Sequence, residues 1–138
     1  MTASPSQGPF YEVLYTSELE PSVPVAAIAD IVRRSRGFNA AHQITGLLVF
    51  DGGRFCHYLE GPADMVHALA LRISADPRHT GFRRLHAATR VGPRRLPGHP
   101  MSYGLAYDEA EIDAVAALTG EAATQRLMQA LPRLELEP

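Results

Sequence analysis

The run Ile44-Thr45-Gly46-Leu47-Leu48-Val49-Phe50 is almost continuously apolar, and Asp51-Gly52-Gly53 and then Arg54 to Glu60 follow it directly. An apolar run of this length reads as a buried central strand. The Asp-Gly-Gly step is a tight-turn signal, and Arg54 to Glu60 is its return strand. This hairpin constrains the chain more than any other feature. A strand buried in the middle of a sheet needs neighbouring strands, and both sheet faces need cover.

The flanking segments supply both. Phe10 to Thr16 is aromatic and β-branched, so it reads as a strand with Tyr11, Val13 and Tyr15 on one face. Ser17 to Pro24 is a loop broken by Pro21 and Pro24. From Val25, apolar residues at 25, 28, 31 and 32 form a helical stripe, with Gly37 as its stop signal. Pro62 opens a second helix, whose inner stripe is Met65, Val66, Leu69 and Ile73 and which Asp76-Pro77 ends. Phe82 to Val91 reads as a strand, Gly92 to Pro100 as a loop, and Met101 to Tyr107 as a last, edge strand. Two helices, about 109–118 and 121–131, split at Thr119-Gly120, close the chain. The order β-α-β-β-α-β, plus an extra strand and a two-helix C-terminal extension, is the α+β, ferredoxin-like split βαβ arrangement.

The expected division is a disordered lead at 1–9, one domain at 10–107 and a helical extension at 108–138 packed on the sheet. The extension's apolar residues Ile112, Val115, Leu118, Leu127, Met128 and Leu131 are set to cover the second sheet face, where Leu47 and Val49 point.

Composition removes several classes of function. At 138 residues the chain has room for one core, and 46% hydrophobic with 20% charged residues is ordinary for a globular protein. The 13 basic residues, all arginine, against 15 acidic ones argue against a dedicated nucleic-acid binder. No apolar run approaches the ~20 residues that span a bilayer, and the N-terminus lacks the order of a signal peptide. Cys56 is the only cysteine, so no intrachain disulfide forms. The expected compartment is the cytoplasm. The six histidines and Cys56 show no zinc-ligand spacing, so neither a metal nor a haem site is expected. No nucleophile elbow or phosphate-cradling Gly-rich loop with lysine points to an enzyme.

Phe55, His57 and Leu59 alternate onto the helix-facing side of their strand. In a split βαβ sheet the first and third strands are neighbours, which brings Tyr15 within hydrogen-bond reach of His57. Taken alone, this is a core tyrosine beside a half-buried histidine. Asn39 reads as a turn residue, because asparagine tolerates left-handed backbone. His79, in Asp76-Pro77-Arg78-His79, sits where a helix C-terminus favours positive charge. Together, Tyr15 and His57 in a groove floor with Ser35, Asn39, Asp76 and His79 around it suggest a flat polar ligand between the two helices.

The sequence resembles the BLUF domain, the blue-light sensor that uses FAD. The resemblance covers about residues 10–107. It is carried by Leu14–Ser17 (LYTS), Asn39–Leu48 (NAAHQITGLL), Asp51–Pro62 (DGGRFCHYLEGP), Asp76–His79 (DPRH) and the Met101 region. It implies that Tyr15 is the photoactive tyrosine, giving an electron and then a proton to excited flavin. It implies that Asn39 bonds the flavin's C4 carbonyl and N3 edge, with Ile31, Ser35 and Phe38 around the isoalloxazine. Asp76 and His79 would lie near the ribityl chain and the ring, and Met101 near the photoactive core.

Two positions depart from the family pattern. His57 stands where the family has the glutamine between tyrosine and flavin N5, and His99 where many members have tryptophan. Amide and neutral imidazole each offer a donor and an acceptor, but imidazole differs in shape and takes up a proton. The resemblance therefore implies an FAD-binding photoreceptor with an altered or lost photocycle. The alternative is a domain that keeps the fold as a light-independent interaction module. With about thirty residues beyond the core, the signal is expected to pass to a separate protein partner or through a homodimer or higher homo-oligomer.

Overall fold

The anticipated hairpin forms in the computed structural model, which describes residues 9–137. The elements are β1 (Phe10–Leu19), α1 (Ala27–Ala41), β2 (Thr45–Phe50), β3 (Arg54–Gly61), α2 (Ala63–Ser74), β4 (His79–Arg90), β5 (Ser102–Leu105), α3 (Ala110–Ala116), α4 (Gly120–Ala130) and β6 (Glu135–Glu137). At the β2–β3 turn, Asp51 Oδ1 accepts the backbone N–H groups of Gly53 at 3.1 Å and Arg54 at 2.8 Å. Gly52 takes φ +103°, a conformation closed to most side chains. Gly46 serves a different need: a Cβ there would lie 2.5 Å from the carbonyl oxygen of Tyr58.

The strands assemble in the order β4-β1-β3-β2-β5-β6. β3 lies antiparallel between β1 and β2, as a split βαβ sheet requires, with Tyr15 opposite His57. β2 and β5 run parallel. Apolar residues alternate along the central strands and so feed two cores. On one face Val13, Leu48, Phe55 and Leu59 pack with Ile28 and Val32 of α1 and Val66 and Leu69 of α2. On the other, Leu14, Leu47, Val49 and Tyr58 pack with Ile112 and Val115 of α3 and Leu127 of α4.

The structure corrects several local expectations. Gly37 does not stop α1, which continues to Ala41. The helix is released at His42, whose N–H still reaches the carbonyls of Phe38 and Asn39, and Gln43 takes the left-handed turn at φ 59°. Asn39 is therefore a buried residue of the last helical turn, not a left-handed one. Val25 precedes α1 and is exposed, and Leu118 falls in the α3–α4 connection, also exposed. β5 is not an edge strand, because β6 pairs antiparallel with it. The expected disordered lead at 1–9 lies, apart from Pro9, outside the described residues.

Candidate functional site

Between α1, α2 and the sheet is a cavity of about 240 Å³. Strand periodicity aims its floor: Tyr15 and Ser17 are two apart on β1, Phe55 and His57 two apart on β3, and Leu48 belongs to β2. Helical periodicity aims its walls. Ile31, Arg34, Ser35 and Phe38 form one stripe of α1, and Leu69, Arg72 and Ile73 one stripe of α2, beyond which Asp76, Arg78 and His79 complete the rim. The floor is apolar and aromatic, whereas Arg34, Arg72 and Arg78 gather positive charge at the rim. The Arg72 guanidinium lies 5.0 Å above the centre of the Phe38 ring.

The floor holds a buried polar pair. Tyr15 is 2% exposed and His57 4% exposed, and the Tyr15 hydroxyl bonds to His57 Nδ1. Burial pushes the Tyr15 phenol well above its ordinary range, and neighbouring Cys56 and Asp76 add to the rise. Burial, together with repulsion from His79, lowers the His57 imidazole to about 3. His57 is therefore neutral. In the tautomer with its proton on Nε2, His57 accepts the Tyr15 hydroxyl at Nδ1. His57 Nε2 is buried and has no hydrogen-bond partner among the described residues, and the same holds for Ser17 Oγ. Each belongs to a cavity-lining residue, so the floor presents one imidazole nitrogen and one hydroxyl for a ligand to satisfy.

At the rim, the guanidinium of Arg78 is hydrogen-bonded to Asp76 and holds its carboxyl below the usual range. His79 Nε2 donates to the carbonyl of Ile73, closing the C-terminal end of α2. Seven of the anticipated residues (Tyr15, Ile31, Ser35, Phe38, His57, Asp76 and His79) are thus brought to one cavity. Asn39 and Met101 are not among the residues that line it. Asn39 is fully buried and donates from Nδ2 to the Pro100 carbonyl at 2.7 Å, while its Oδ1 has no partner among the described residues. Met101 is buried in the same apolar cluster as Leu48 and Phe55, and its carbonyl accepts from Arg36 Nε at 2.9 Å.

The sequence reading missed Ser17, Arg34, Leu48, Phe55, Leu69, Arg72, Ile73 and Arg78. Periodicity held the signal for most of them. Ser17 shares a strand face with Tyr15, Arg34 is one turn before Phe38, and Arg72 is one turn before Asp76.

A second polar cluster lies across the sheet. Tyr58 donates toward Glu12 at 2.6 Å, with Glu60 at 2.9 Å, and His86 Nε2 lies 2.9 Å from Glu12. Burial raises the Glu12 carboxyl, but bonds from Tyr58, His86 and Arg95 bring it below its ordinary value. Glu12, His86 and Glu121 converge closely enough to be metal ligands. However, the Arg95 guanidinium already pairs with both carboxylates, so this group is an ion-pair network tying β1 to α4.

The family model described as "Sensors of blue-light using FAD" matches residues 10–102. A 74-residue stretch, 54% of the chain, is 39% identical to the photoactivated adenylate cyclase subunit beta of Euglena gracilis, of which it spans 9%. The chain therefore covers only a small part of that relative. Among solved structures, the dark state of BlrB, a BLUF protein, superposes with a TM-score of 0.76 at 29% identity, over 88% of this chain and 94% of that one. The photo-activated state of BlsA superposes with a TM-score of 0.78 over 94% and 99% of the two chains; at 19% identity it speaks for the fold alone. Described cavity, sheet order and sequence match coincide on the same stretch, and the chain belongs to the BLUF family, the blue-light sensors that use FAD.

Proposed function

We propose that this chain holds FAD in the cavity between α1 and α2 and senses blue light through Tyr15, with His57 in the place of the family's signalling glutamine. The observation that carries this reading is the pair of buried, unpartnered polar atoms, His57 Nε2 and Ser17 Oγ, on residues lining an otherwise apolar, aromatic floor. Ile31, Phe38, Leu48 and Phe55 suit the faces of a flat ring, and the rim arginines suit the phosphates. Asn39, whose buried Oδ1 is unpartnered among the described residues, is assigned to the flavin's C4 carbonyl and N3 edge, and Met101 to the neighbourhood of the photoactive pair.

When bound, the flavin supplies blue-light absorption and an excited ring that accepts an electron. Tyr15 is the donor. As it is oxidised its O–H becomes strongly acidic, and the proton has an acceptor already bonded, His57 Nδ1. The proton moves from Tyr15 oxygen to Nδ1, leaving a neutral oxidised tyrosine beside an imidazolium. Burial disfavours the charged imidazole, so it does not hold that proton once Tyr15 is restored. The proton therefore returns with the electron. A glutamine amide can rotate or tautomerise into a new set of hydrogen bonds; an imidazole wedged between Tyr15 and the cavity reverts. The expected light response of the wild type is short-lived, weak or pH-dependent.

The output route we infer is the sheet's opposite face, where α3 and α4 pack behind β1 and β3, leading to a protein partner or to a second copy of the chain. The domain reading follows: residues 10–107 sense, and 108–138 pass the signal on.

Titration of the purified protein with FAD, followed by flavin fluorescence, tests the binding reading. The wild type should quench the fluorescence saturably, and Ser35→Trp, which fills the cavity from α1, should not. A wild type that leaves flavin fluorescence unchanged would overturn it in favour of a light-independent interaction module.

A further inference from the structure

The Tyr15 ring is held on its flank by a residue outside the anticipated set. Phe82 stacks on it, with centroids 4.4 Å apart and planes 30° from parallel. We propose that Phe82 is a positioning residue for the Tyr15–His57 pair, keeping the phenol O–H aligned on Nδ1 and shielded from water. The consequence for light sensing rests on the reading of Tyr15 as electron donor; the geometry does not.

Phe82 reaches this place only because β4 is irregular. β1 and β4 pair in regular register from Phe10 opposite Arg90 to Leu14 opposite His86. The register then shifts between Leu14 and Tyr15, and again between Thr16 and Glu18. Without the first shift, Tyr15 would face Leu85; instead it faces Arg84, and Leu85 packs into the core on the other side of the sheet. The second shift falls at Gly81, which takes φ +63° and precedes Phe82. Bulges of this kind re-aim side chains, and these two free Phe82 to lie over Tyr15. His79 meets the same ring edge-on at 6.2 Å, so Phe82 also joins the rim of the cavity to its floor.

A tyrosine has two side-chain torsions. The hydrogen bond to His57 fixes the far end of the ring, and the stacked face fixes its tilt. β4 is the outermost strand on that side, and Phe82 is only half-buried. Removing its ring takes away the contact on that face of Tyr15 and opens a path for water to the phenol.

The test is proton NMR of the full chain, with and without FAD, following the exchange of the Tyr15 O–H proton, assigned by its loss in Tyr15→Phe. Phe82→Ala should exchange this proton about tenfold faster or more, as expected when water competes for a buried bond. It should also bring the Tyr15 phenol down toward its ordinary titration range, and Phe82→Tyr should restore both. Leu85→Ala, on the same strand but in the opposite core, should lower the thermal midpoint and leave the Tyr15 proton unchanged. If Phe82→Ala does not fold, Phe82→Leu, which keeps bulk without a flat face, should still speed exchange. Wild-type exchange in folded Phe82→Ala or Phe82→Leu, or an equal effect from Leu85→Ala, would overturn the proposal. The FAD-free measurement keeps this outcome separate from any failure of flavin binding.

Discussion

Burial holds the His57 imidazole neutral. Its folded value near 3 lies below the ordinary 6.5, so the unfolded chain takes up the proton first. Stability from its neutral burial is complete above about pH 6.5 and drains as pH falls toward 3, at up to about 1.4 kcal/mol per pH unit. Urea unfolding between pH 7 and 5 should show the wild type losing about 2 kcal/mol more than His57→Gln; parallel losses would contradict a buried neutral imidazole. Asn39 is fully buried and bonded to the Pro100 carbonyl. Asn39→Ala removes the donor to the Pro100 carbonyl, and unfolding of the FAD-free protein should register a loss of about 1–3 kcal/mol. The Tyr15–His57 contact was legible in the sequence, since strand order and period two place both residues. The setting of Asn39 was not. Its turn-forming tendency pointed to a left-handed residue, yet helix packing buried it and Gln43 made the turn, a choice set by where α1 must release the chain into β2.

At the scale of elements, legibility followed the range of the cause. The hairpin was readable because its turn chemistry and its alternation are local. Gly37 misled because a glycine costs only about 1 kcal/mol in a helix, and packing on either side of it outweighs that. β6 was missed although Leu134-Glu135-Leu136-Glu137 alternates with period two; three residues make a strand only where a partner edge exists, and β5 supplies it. Gly104 helps, since Leu134 and Leu136 lie against the position its side chain would occupy. α3 and α4 are expected to be integral to the sheet. Leu127→Ala, in the core behind β2 and β3, should cost about 2–5 kcal/mol in chemical unfolding. Removing residues 109–138 should bare Leu14, Leu47, Val49 and Tyr58 and produce aggregates in size-exclusion chromatography. A truncated chain that stayed monomeric and equally stable would contradict this role.

For the whole molecule, the sheet is a partition with different chemistry on each side. Tyr15 and His57 face the cavity, while their chain neighbours Leu14 and Tyr58 face α3 and α4. The Arg95 ion pairs to Glu12 and Glu121 fasten α4 to the strand that carries Tyr15. A change in how β1 and β3 sit would thereby reach the C-terminal helices directly, which is the output route we propose. We propose an intact flavin frame in which imidazole, in the amide's place, curtails the lasting hydrogen-bond change. Light-minus-dark absorbance of the FAD-loaded protein, recorded for wild type and His57→Gln across pH, tests it most directly. The wild type should give a weak, short-lived or pH-dependent response, and His57→Gln a stronger, reversible red shift that Tyr15→Phe abolishes. A full, reversible and pH-independent red shift in the wild type would contradict this proposal.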